Sequence, residues 1–296
     1  MTRYTEYAPS DALRPFVDCF WTREATPAEV VAPQRTAVHR VMPDGCIDVI
    51  LVFSGRADGQ ESAMVVGTMT RALVLEAATT PEWFVGVRFR PAKASAFLSL
   101  PASEITDLRV SLDDVWHDAA AVRDAVAADS GAAARVRAFD GVLAARLSPS
   151  AARDAQRNQR DVDEAVRLIV EAGGGLGITR LAPSLGMSRQ HLARRFAKLV
   201  GVSPKVFARV VRLGRVIERV RAVPADERIN WSVMALELGY YDQAHLADEF
   251  REMTGVTPTV WTSGNRGRER GNGEPGTGEP RNHAIPFLQD SAPAAS

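Results

Sequence analysis

The chain contains at residues 178–207 the stretch ITRLAPSLGMSRQHLARRFAKLVGVSPKVF, which recurs at residues 231–261 as WSVMALELGYYDQAHLADEFREMTGVTPTVW. Ala182 returns as Ala235 and His191 returns as His245, so the copies stay in register apart from a one-residue shift within the turn. Each copy joins two short helical patterns at a glycine, which is typical of a helix-turn-helix, a unit that places its second helix in a DNA groove. The duplication therefore predicts a protein that binds DNA through two such units.

The second helix of each copy is predicted to present its N-terminal residues to the base edges of DNA. In the first copy Thr179 is the predicted N-cap of the leading helix, Gly186 supplies the left-handed turn, and Ser188 caps the second helix. Asp242 is the corresponding cap in the second copy. With the Leu and Phe side chains pointing inward, the outward positions predicted to bind DNA are Arg189, Gln190, Ala193 and Arg194 in the first copy and Gln243, Ala244, Ala247 and Asp248 in the second.

The charge of the chain is balanced overall but uneven along its length. Lysine and arginine together number 36, as do aspartate and glutamate, so the formal net charge is zero. Between Arg180 and Arg221 eleven basic residues are opposed only by Glu218, whereas residues 222–262 carry seven acidic residues and two basic ones. Attraction of phosphate depends on such local charge rather than on the sum. The first unit is therefore predicted to be basic and the second acidic.

A long helix is predicted to join the two units, with Ser203 as N-cap and Pro204 as its first residue. No acidic residue falls within an arc of about 120° on this helix, at ~100° per residue, that carries Lys205, Arg209, Arg212, Arg215 and Arg219. This arc is either a solvated charged face or part of a phosphate-attracting field. A rigid connection would hold the two recognition helices about one DNA turn (~34 Å) apart, so that one protomer covers two half-elements.

Residues 161–262 resemble the AraC/XylS family of bacterial transcription regulators. The resemblance rests on both turns, on the GVSP and GVTP ends of the two copies, and on GYYDQAHL at residues 239–246. It implies base-reading roles for Gln190, Ala193 and Arg194 and for Gln243, Ala244, Ala247 and Asp248. Members of this family usually carry a basic residue where Asp248 stands, and Glu249 adds a second negative charge. We therefore expect the first unit to dominate the affinity for DNA, with the second docking through its helix ends, its backbone and Gln243.

The rest of the chain is predicted to be β-rich and then helical, which makes the fold class α+β. Apolar, β-branched runs predict strands at residues 16–21, 47–53, 63–66, 72–75 and 83–89. A short helix is expected at residues 92–100, and two more between residues 118 and 147, split near Ser130. The predicted domains are a sensing or dimerisation domain at residues 1–112, a helical connector at 113–148 and a linker at 149–159. An all-α double helix-turn-helix domain follows at residues 160–262, and a disordered tail at 263–296. Asp161 and Glu164 form a predicted capping box at the start of the helix-turn-helix domain.

The first domain resembles a cupin-like β-sheet sensor, with an uncharacterised ligand, that often precedes this DNA-binding module. The resemblance rests on HRVMPDGCID at residues 39–48, VGTMT at residues 66–70 and GVRFRP at residues 86–91. It implies an effector-responsive regulator in which a small molecule bound by the first domain alters DNA binding. A different interpretation makes this domain a surface for dimerisation or for contact with RNA polymerase, without any ligand.

Some polar side chains of the first domain invite a metal or catalytic interpretation. Asp44 lies in a Pro-Asp-Gly sequence, which favours a turn in which Asp44 bonds the backbone and Gly45 takes a positive φ. The same interpretation covers Asp48 and His39. Because only His39 and His117 precede the linker, one chain cannot supply a multi-histidine metal site. We expect neither a metal nor a cofactor.

The arginines and the cysteines of the first domain each allow two interpretations. Arg88 and Arg90 share one face of a predicted strand and either pair with aspartates, which we favour because charges inside a sheet need partners, or bind an anionic effector. Cys46 is either a redox switch or, as we favour, a small buried hydrophobic residue. An enzymatic alternative, a DNA-repair protein that accepts alkyl groups, needs an activated, zinc-held cysteine cluster that Cys19 and Cys46 do not supply. We expect no catalysis.

The sequence also suggests a location and a set of partners. The polar start of the chain lacks the apolar core of a signal peptide, and no apolar run reaches membrane length, so a cytoplasmic location is expected. The expected partners are double-stranded DNA, RNA polymerase, a small-molecule effector and a second copy of the chain.

Overall fold

The computed structural model describes residues 3–25, 39–54, 62–75, 82–147, 149–224 and 226–269. An antiparallel β-sheet region is followed by helices, which confirms the predicted α+β class. The described ranges contain the strands β1 (Arg3–Tyr7), β2 (Val17–Ala25), β3 (His39–Val41), β4 (Ile47–Ser54), β5 (Ser62–Val66), β6 (Leu73–Leu75), β7 (Glu82–Phe89) and β8 (Arg109–Ser111). The sequence pattern predicts five of these and misses β1, β3 and β8, which are short and carry arginine rather than an apolar run.

Six of the strands form one sheet in the order β1-β2-β7-β4-β5-β8, and β3 and β6 form a separate two-stranded sheet. Every neighbouring pair is antiparallel. Alternation along the central strands sends Val49 of β4 and Val87 of β7 into the core of the first domain, where both are fully buried. Gly86 faces the other side, where it makes room for Trp21, since a Cβ at Gly86 would lie 2.2 Å from the indole ring.

Two helices close one face of this sheet, α1 (Ala119–Ala127) and α2 (Ala132–Arg146), as predicted. The apolar face of α2 buries Val136, Phe139 and Leu143 in the core of the first domain. The rings of Phe20 and Phe139 meet edge to face, with their centroids 5.8 Å apart. The apolar face of α2 is therefore covered within the chain itself.

The helix predicted at residues 92–100 is wrong. Only a 3₁₀ turn forms there, over Ala94–Ala96. Ala92 has φ +66°, in the left-handed region that a right-handed helix cannot include, and Pro101 limits the segment on its other side. The segment therefore remains a compact turn, in which Ala92, Phe97 and Leu98 are buried.

The C-terminal part folds into the helices α3 (Pro149–Glu171), α4 (Ile178–Ser184), α5 (Arg189–Val200), α6 (Pro204–Ala222), α7 (Trp231–Glu237), α8 (Gln243–Thr254) and α9 (Pro258–Glu269). None of the helices in the described ranges combines the length and hydropathy needed to cross a bilayer.

Two predicted segments in this part contain helix. The predicted linker, residues 149–159, forms the first turns of α3, so the predicted capping box is wrong: Asp161 and Glu164 lie inside a helix. The stretch lacks apolar periodicity, but its alanine, arginine and glutamine residues are strong helix formers. Residues 263–269 belong to α9 rather than to a disordered tail, and the remainder of the predicted tail, 270–296, lies outside the described residues.

The core of the C-terminal helices also contains side chains from the first domain. Met42, Cys46 and Ala92 are buried among residues of α3, α5 and α6. Gly45 takes φ +81° and approaches Phe207 of α6 so closely that a Cβ would lie 2.5 Å from the ring. The turn at residues 42–46 is thus packed directly on the helix that joins the two helix-turn-helix units.

Candidate nucleic-acid interface

The first helix-turn-helix unit consists of α4 and α5. Gly186 takes φ +65° in the turn, and the Ser188 hydroxyl accepts a hydrogen bond from the His191 N–H at 3.2 Å, as predicted. Phe196 is fully buried on the inner face of α5. The predicted cap Thr179 is wrong, because α4 begins at Ile178 and Gly177 occupies the N-cap position without any side-chain bond.

The second unit, α7 and α8, repeats this geometry. Gly239 takes φ +79°, and the Asp242 carboxylate accepts a hydrogen bond from the His245 N–H at 2.8 Å, as predicted. Phe250 is buried on the inner face of α8. Asn230 caps α7 by accepting a bond from the Val233 N–H at 3.1 Å, a cap that sequence reasoning missed although asparagine is among the favoured N-cap residues.

All of the predicted DNA-binding residues lie on the outer side of the two recognition helices. The side chains fall into two groups by exposure: Arg189, Gln190, Arg194, Gln243, Ala244 and Asp248 are exposed, and Ala193 and Ala247 are half-buried. Their base-reading roles remain predictions, since the placement shows only that these side chains are accessible.

The first recognition helix presents cations without partners. Within the part of the chain that the structure describes, Arg189, Arg194 and Lys198 form neither an ion pair nor a side-chain hydrogen bond, and all three are exposed. An arginine that is not already paired can donate bidentate hydrogen bonds to guanine or to phosphate without first breaking an internal contact. This face of α5 is therefore suited to DNA.

The second recognition helix presents a different surface. The Gln243 side-chain oxygen accepts a hydrogen bond from the Ser232 hydroxyl at 2.9 Å, and the Asp248 carboxylate lies 3.6 Å from the Arg251 guanidinium. Tyr241 lies just before the helix with 85% of its surface exposed. The outer face of α8 therefore carries a negative charge and a partly engaged amide, whereas the outer face of α5 carries unpaired cations.

Ion pairs anchor both recognition helices to the helices behind them. The anchoring side chain is a cation on α5 and an anion on α8. Arg195 of α5 pairs with Asp161 of α3 at 2.6 Å, and Glu249 of α8 pairs with Arg209 and Arg212 of α6 at 2.9 Å each. Burial acts to raise the pKa of Asp161, but the hydrogen bonds from Arg195 outweigh it and lower that pKa. Only 7% of the Glu249 side chain is exposed, which makes its contacts the more buried of the two anchors.

The basic arc of α6 is only partly free to attract phosphate. Three of its five cations are paired with acidic side chains of the second unit: Arg209 with Glu249 and Glu252, Arg212 with Glu249, and Arg219 with Glu237. Lys205 and Arg215 are exposed and form no ion pair within the described residues. The sequence shows no acidic residue within the arc because these partners come from α7 and α8. Glu249 is likewise not a negative charge beside DNA phosphates but a buried anchor.

The polar residues of the first domain form a structural cluster. Asp44 accepts a bond from the Cys46 N–H at 2.9 Å, and Gly45 takes a positive φ, which confirms the predicted turn. Arg88 is paired with Asp44 at 3.2 Å and with Asp48 at 3.3 Å, which confirms the favoured pairing of this arginine. Burial raises the pKa of Asp48 to about 6, against the lowering effect of Arg88.

The two cysteines are buried in the first domain. Cys19 lies on strand β2 and Cys46 in the turn at residues 42–46. Burial raises the pKa of both thiols, and the negative charge of Asp44 raises the pKa of Cys46 further. Nucleophilic cysteines have lowered pKa values, and burial shifts the pKa of both thiols in the opposite direction.

Comparison with known proteins identifies two domains along the chain. Residues 181–264 match a helix-turn-helix domain, and residues 5–111 match a domain of unknown function (DUF6597). The chain carries an AraC-type helix-turn-helix domain. It is accordingly a DNA-binding protein of the class that regulates transcription. No curated protein matches the sequence.

The chain also resembles solved structures of ToxT from Vibrio cholerae. One, at 1.65 Å resolution, is 11% identical, covers 82% of this chain and 98% of its own, and has a TM-score of 0.38. Another, described as bound to an unsaturated fatty acid, is 9% identical, covers 88% and 94%, and has a TM-score of 0.39. A likeness this distant assigns no ligand to the present chain.

Proposed function

We propose that the chain is a sequence-specific transcription regulator that reads two half-elements of DNA with one protomer, and that its first helix-turn-helix unit supplies most of the affinity. The observation that carries this proposal is the contrast between the two recognition helices. Arg189, Arg194 and Lys198 of α5 are exposed and unpaired within the described residues, whereas α8 presents Asp248 at the position equivalent to Arg194.

The chemistry of these side chains suggests how each unit would act. Arg194 and Arg189 suit the paired acceptors of guanine, Gln190 suits adenine, and Lys198 lies one turn further along for phosphate. On α8 the outer face carries a negative charge, which phosphate repels. Gln243 and the helix N-terminus would therefore make the main contacts of this unit with DNA. In this proposal the protein acts on RNA polymerase at the promoter, in the cytoplasm.

The effector-responsive part of the proposal rests on a cavity in the first domain. A volume of about 260 Å³ lies between the ends of β2 and β7 and the start of α2. Trp83 and Phe84 supply aromatic surface, and Arg23, Arg135 and Glu24 supply charged side chains. Aromatic surface beside two cations and one carboxylate favours a small anionic molecule with an apolar body.

Selection of bound sites from random DNA, followed by footprinting of the full chain, tests the DNA-binding proposal. We expect enrichment of a bipartite site whose half-elements lie about 10 base pairs apart, with an affinity that falls steeply with salt. The element contacted by α5 should be the more strongly specified. A single short contact patch, or no affinity at low ionic strength, would contradict the proposal.

Thermal-shift measurements on the full chain with a panel of small carboxylates test the effector. A compound that binds the folded chain raises the melting temperature by mass action, and the shift grows roughly as the logarithm of its concentration above Kd. Arg135→Ala should remove that shift, while Arg189→Ala, on the DNA-binding face, should leave it unchanged. If no compound shifts the melting temperature, the first domain is better explained as a surface for dimerisation or for RNA polymerase.

A further inference from the structure

One loop of the first domain contacts the C-terminal ends of both recognition helices. This loop, residues 67–72, connects β5 to β6. The Thr68 hydroxyl donates to the Val200 carbonyl at the end of α5, at 2.5 Å. The Ala72 N–H donates to the Met253 carbonyl at the end of α8, at 2.6 Å. Two units that are far apart in sequence are therefore joined through a third segment.

A second contact from the first domain reinforces the end of α5. The Thr106 hydroxyl donates to the Gly201 carbonyl at 2.6 Å. Gly201 takes φ +96°, and a Cβ there would lie 3.0 Å from Thr68 and 3.2 Å from the Ala102 carbonyl. The chain reversal that ends α5 is thus enclosed by the first domain.

These bonds satisfy groups that α5 and α8 cannot satisfy themselves. The last four carbonyls of a helix have no partner within it. Thr68 is fully buried, and Val200 and Met253 are 1% and 2% exposed, so water does not readily replace the bonds. A buried polar group without a partner costs free energy, which favours the arrangement in which the loop and both helix ends stay together.

The loop is itself held in one conformation. Asp107 accepts hydrogen bonds from the N–H and from the hydroxyl of Thr70, both at 2.6 Å, and donates its own N–H to the Thr68 carbonyl at 3.1 Å. Gly67 lies against the Ile105 carbonyl, where a Cβ would overlap it at 1.7 Å. Four residues span at most ~14 Å, so the two donors hold the helix ends within a short and fixed range.

We propose that Thr68, Thr106 and the Ala72 N–H are positioning residues for DNA recognition: they fix the placement of the two recognition helices relative to one another, and so determine which spacing of half-elements one protomer accepts. This inference rests on the proposed bipartite reading of DNA. It assigns to the first domain a role in specificity that is separate from effector binding.

The test uses the full chain and a DNA library in which the two selected half-elements are separated by spacers that vary in steps of one base pair. Wild type should prefer one spacer. The double variant Thr68→Val, Thr106→Val removes both hydroxyl donors with little change in shape. It should reduce that preference about five-fold or more, since each lost hydrogen bond is worth about a factor of two to ten. Binding to a single half-element should change little.

Two further variants separate positioning from stability. A serine at this position, Thr68→Ser, keeps the hydroxyl that Thr68→Val removes and should therefore keep the spacer preference of wild type. Thr262→Val removes a buried hydroxyl that bonds only within α9, to the Pro258 carbonyl at 2.7 Å, and should leave the preference unchanged. If the double variant proves unstable, Ala72→Pro, which removes the N–H bonded to Met253, provides the same measurement from the α8 side.

Each outcome distinguishes this inference from the proposed function. If wild type selects a bipartite site and the folded variants keep the same spacer preference, the positioning role is overturned while the proposed function stands. If wild type shows no preference for any spacer, the bipartite reading fails and this inference fails with it.

Discussion

The two helix-turn-helix units share one backbone plan but carry opposite charges at equivalent positions. Arg194 corresponds to Asp248 on the outer face, and Arg195 corresponds to Glu249 on the inner face. The inner residue of each pair anchors its recognition helix, to Asp161 in the first unit and to Arg209 and Arg212 in the second.

The difference shows that the anchoring charge and the outer-face charge of a recognition helix vary independently. An ion pair anchors equally well in either polarity as long as the supporting helix offers the opposite charge. DNA offers only one polarity, so in the proposed function the reversed charge on the outer face lowers the affinity of the second unit. The fold of the unit is compatible with either charge on that face.

The units differ again where their recognition helices end. Gly201 is buried beneath the first domain, whereas Gly255, its equivalent, is exposed and a Cβ there would meet nothing within 4 Å. The first unit is thus held at its C-terminal end by side chains, and the second by one backbone bond from Ala72.

The largest expected effect comes from the inner positions. Glu249→Gln leaves Arg209 and Arg212 without their shared buried carboxylate and should lower the free energy of unfolding by about 3–5 kcal/mol. Arg195→Gln breaks a half-exposed pair and should cost about 1 kcal/mol or less. Urea unfolding of the two variants measures both. Equal losses would show that the two anchors do not differ in burial as described.

The next effect concerns the outer positions. Arg194→Ala should weaken DNA binding by about 1–3 kcal/mol, which is roughly 5- to 150-fold, and relax the sequence preference at one element. Asp248→Ala removes a negative charge near phosphate and should strengthen binding instead. Titrations at two salt concentrations check both variants. Unchanged affinity and sequence preference in Arg194→Ala would remove that residue from DNA recognition.

The glycines that end the two recognition helices provide a matched pair. Gly255→Ala should cost about 1–2 kcal/mol of folding free energy, from the left-handed backbone alone. Gly201→Ala meets the same strain and also presses on Thr68 and Ala102, adding about 1–3 kcal/mol. Thermal unfolding gives the difference. The absence of any excess at Gly201 would argue that the first domain does not enclose this turn.

The smallest effect is pH-dependent and belongs to the anchor of the first unit. Because the folded-state pKa of Asp161 is lowered, its pair with Arg195 contributes stability above the ordinary carboxyl pKa of ~4, and that stability is lost as the pH falls through the folded-state value. Asp161→Asn should therefore be less stable than wild type near neutral pH and similar to it below about pH 3. Unfolding curves across this range would contradict the prediction if the gap stayed constant.

The features that the sequence predicts correctly are local ones. The caps at Ser188, Ser203 and Asp242 and the turns at Gly186 and Gly239 depend on residues a few positions apart, and all are present. The paired copies supply an internal comparison that strengthens each of these predictions. The outward placement of the predicted DNA-binding residues follows from the same helical periodicity.

The features that the sequence misses depend on distant partners. The arginines of α6 read as a free basic arc because Glu249 and Glu252 lie some forty residues away, as the separations of 40 and 43 between Arg209 and these glutamates show. The contacts of Thr68 and Ala72 with the helix ends join different domains and leave no periodic signal. Residues 149–159 lacked an apolar stripe, so their helical propensity went unrecognised.

The side chains of Met42, Cys46 and Ala92 within the C-terminal core bear on how such a regulator can evolve. Recombination that replaced the first domain with an unrelated one would remove these three buried side chains from the C-terminal core and leave a gap beside Phe207. The two halves are therefore expected to be inherited together, and new effector responses to arise by substitution within the existing first domain rather than by shuffling of modules.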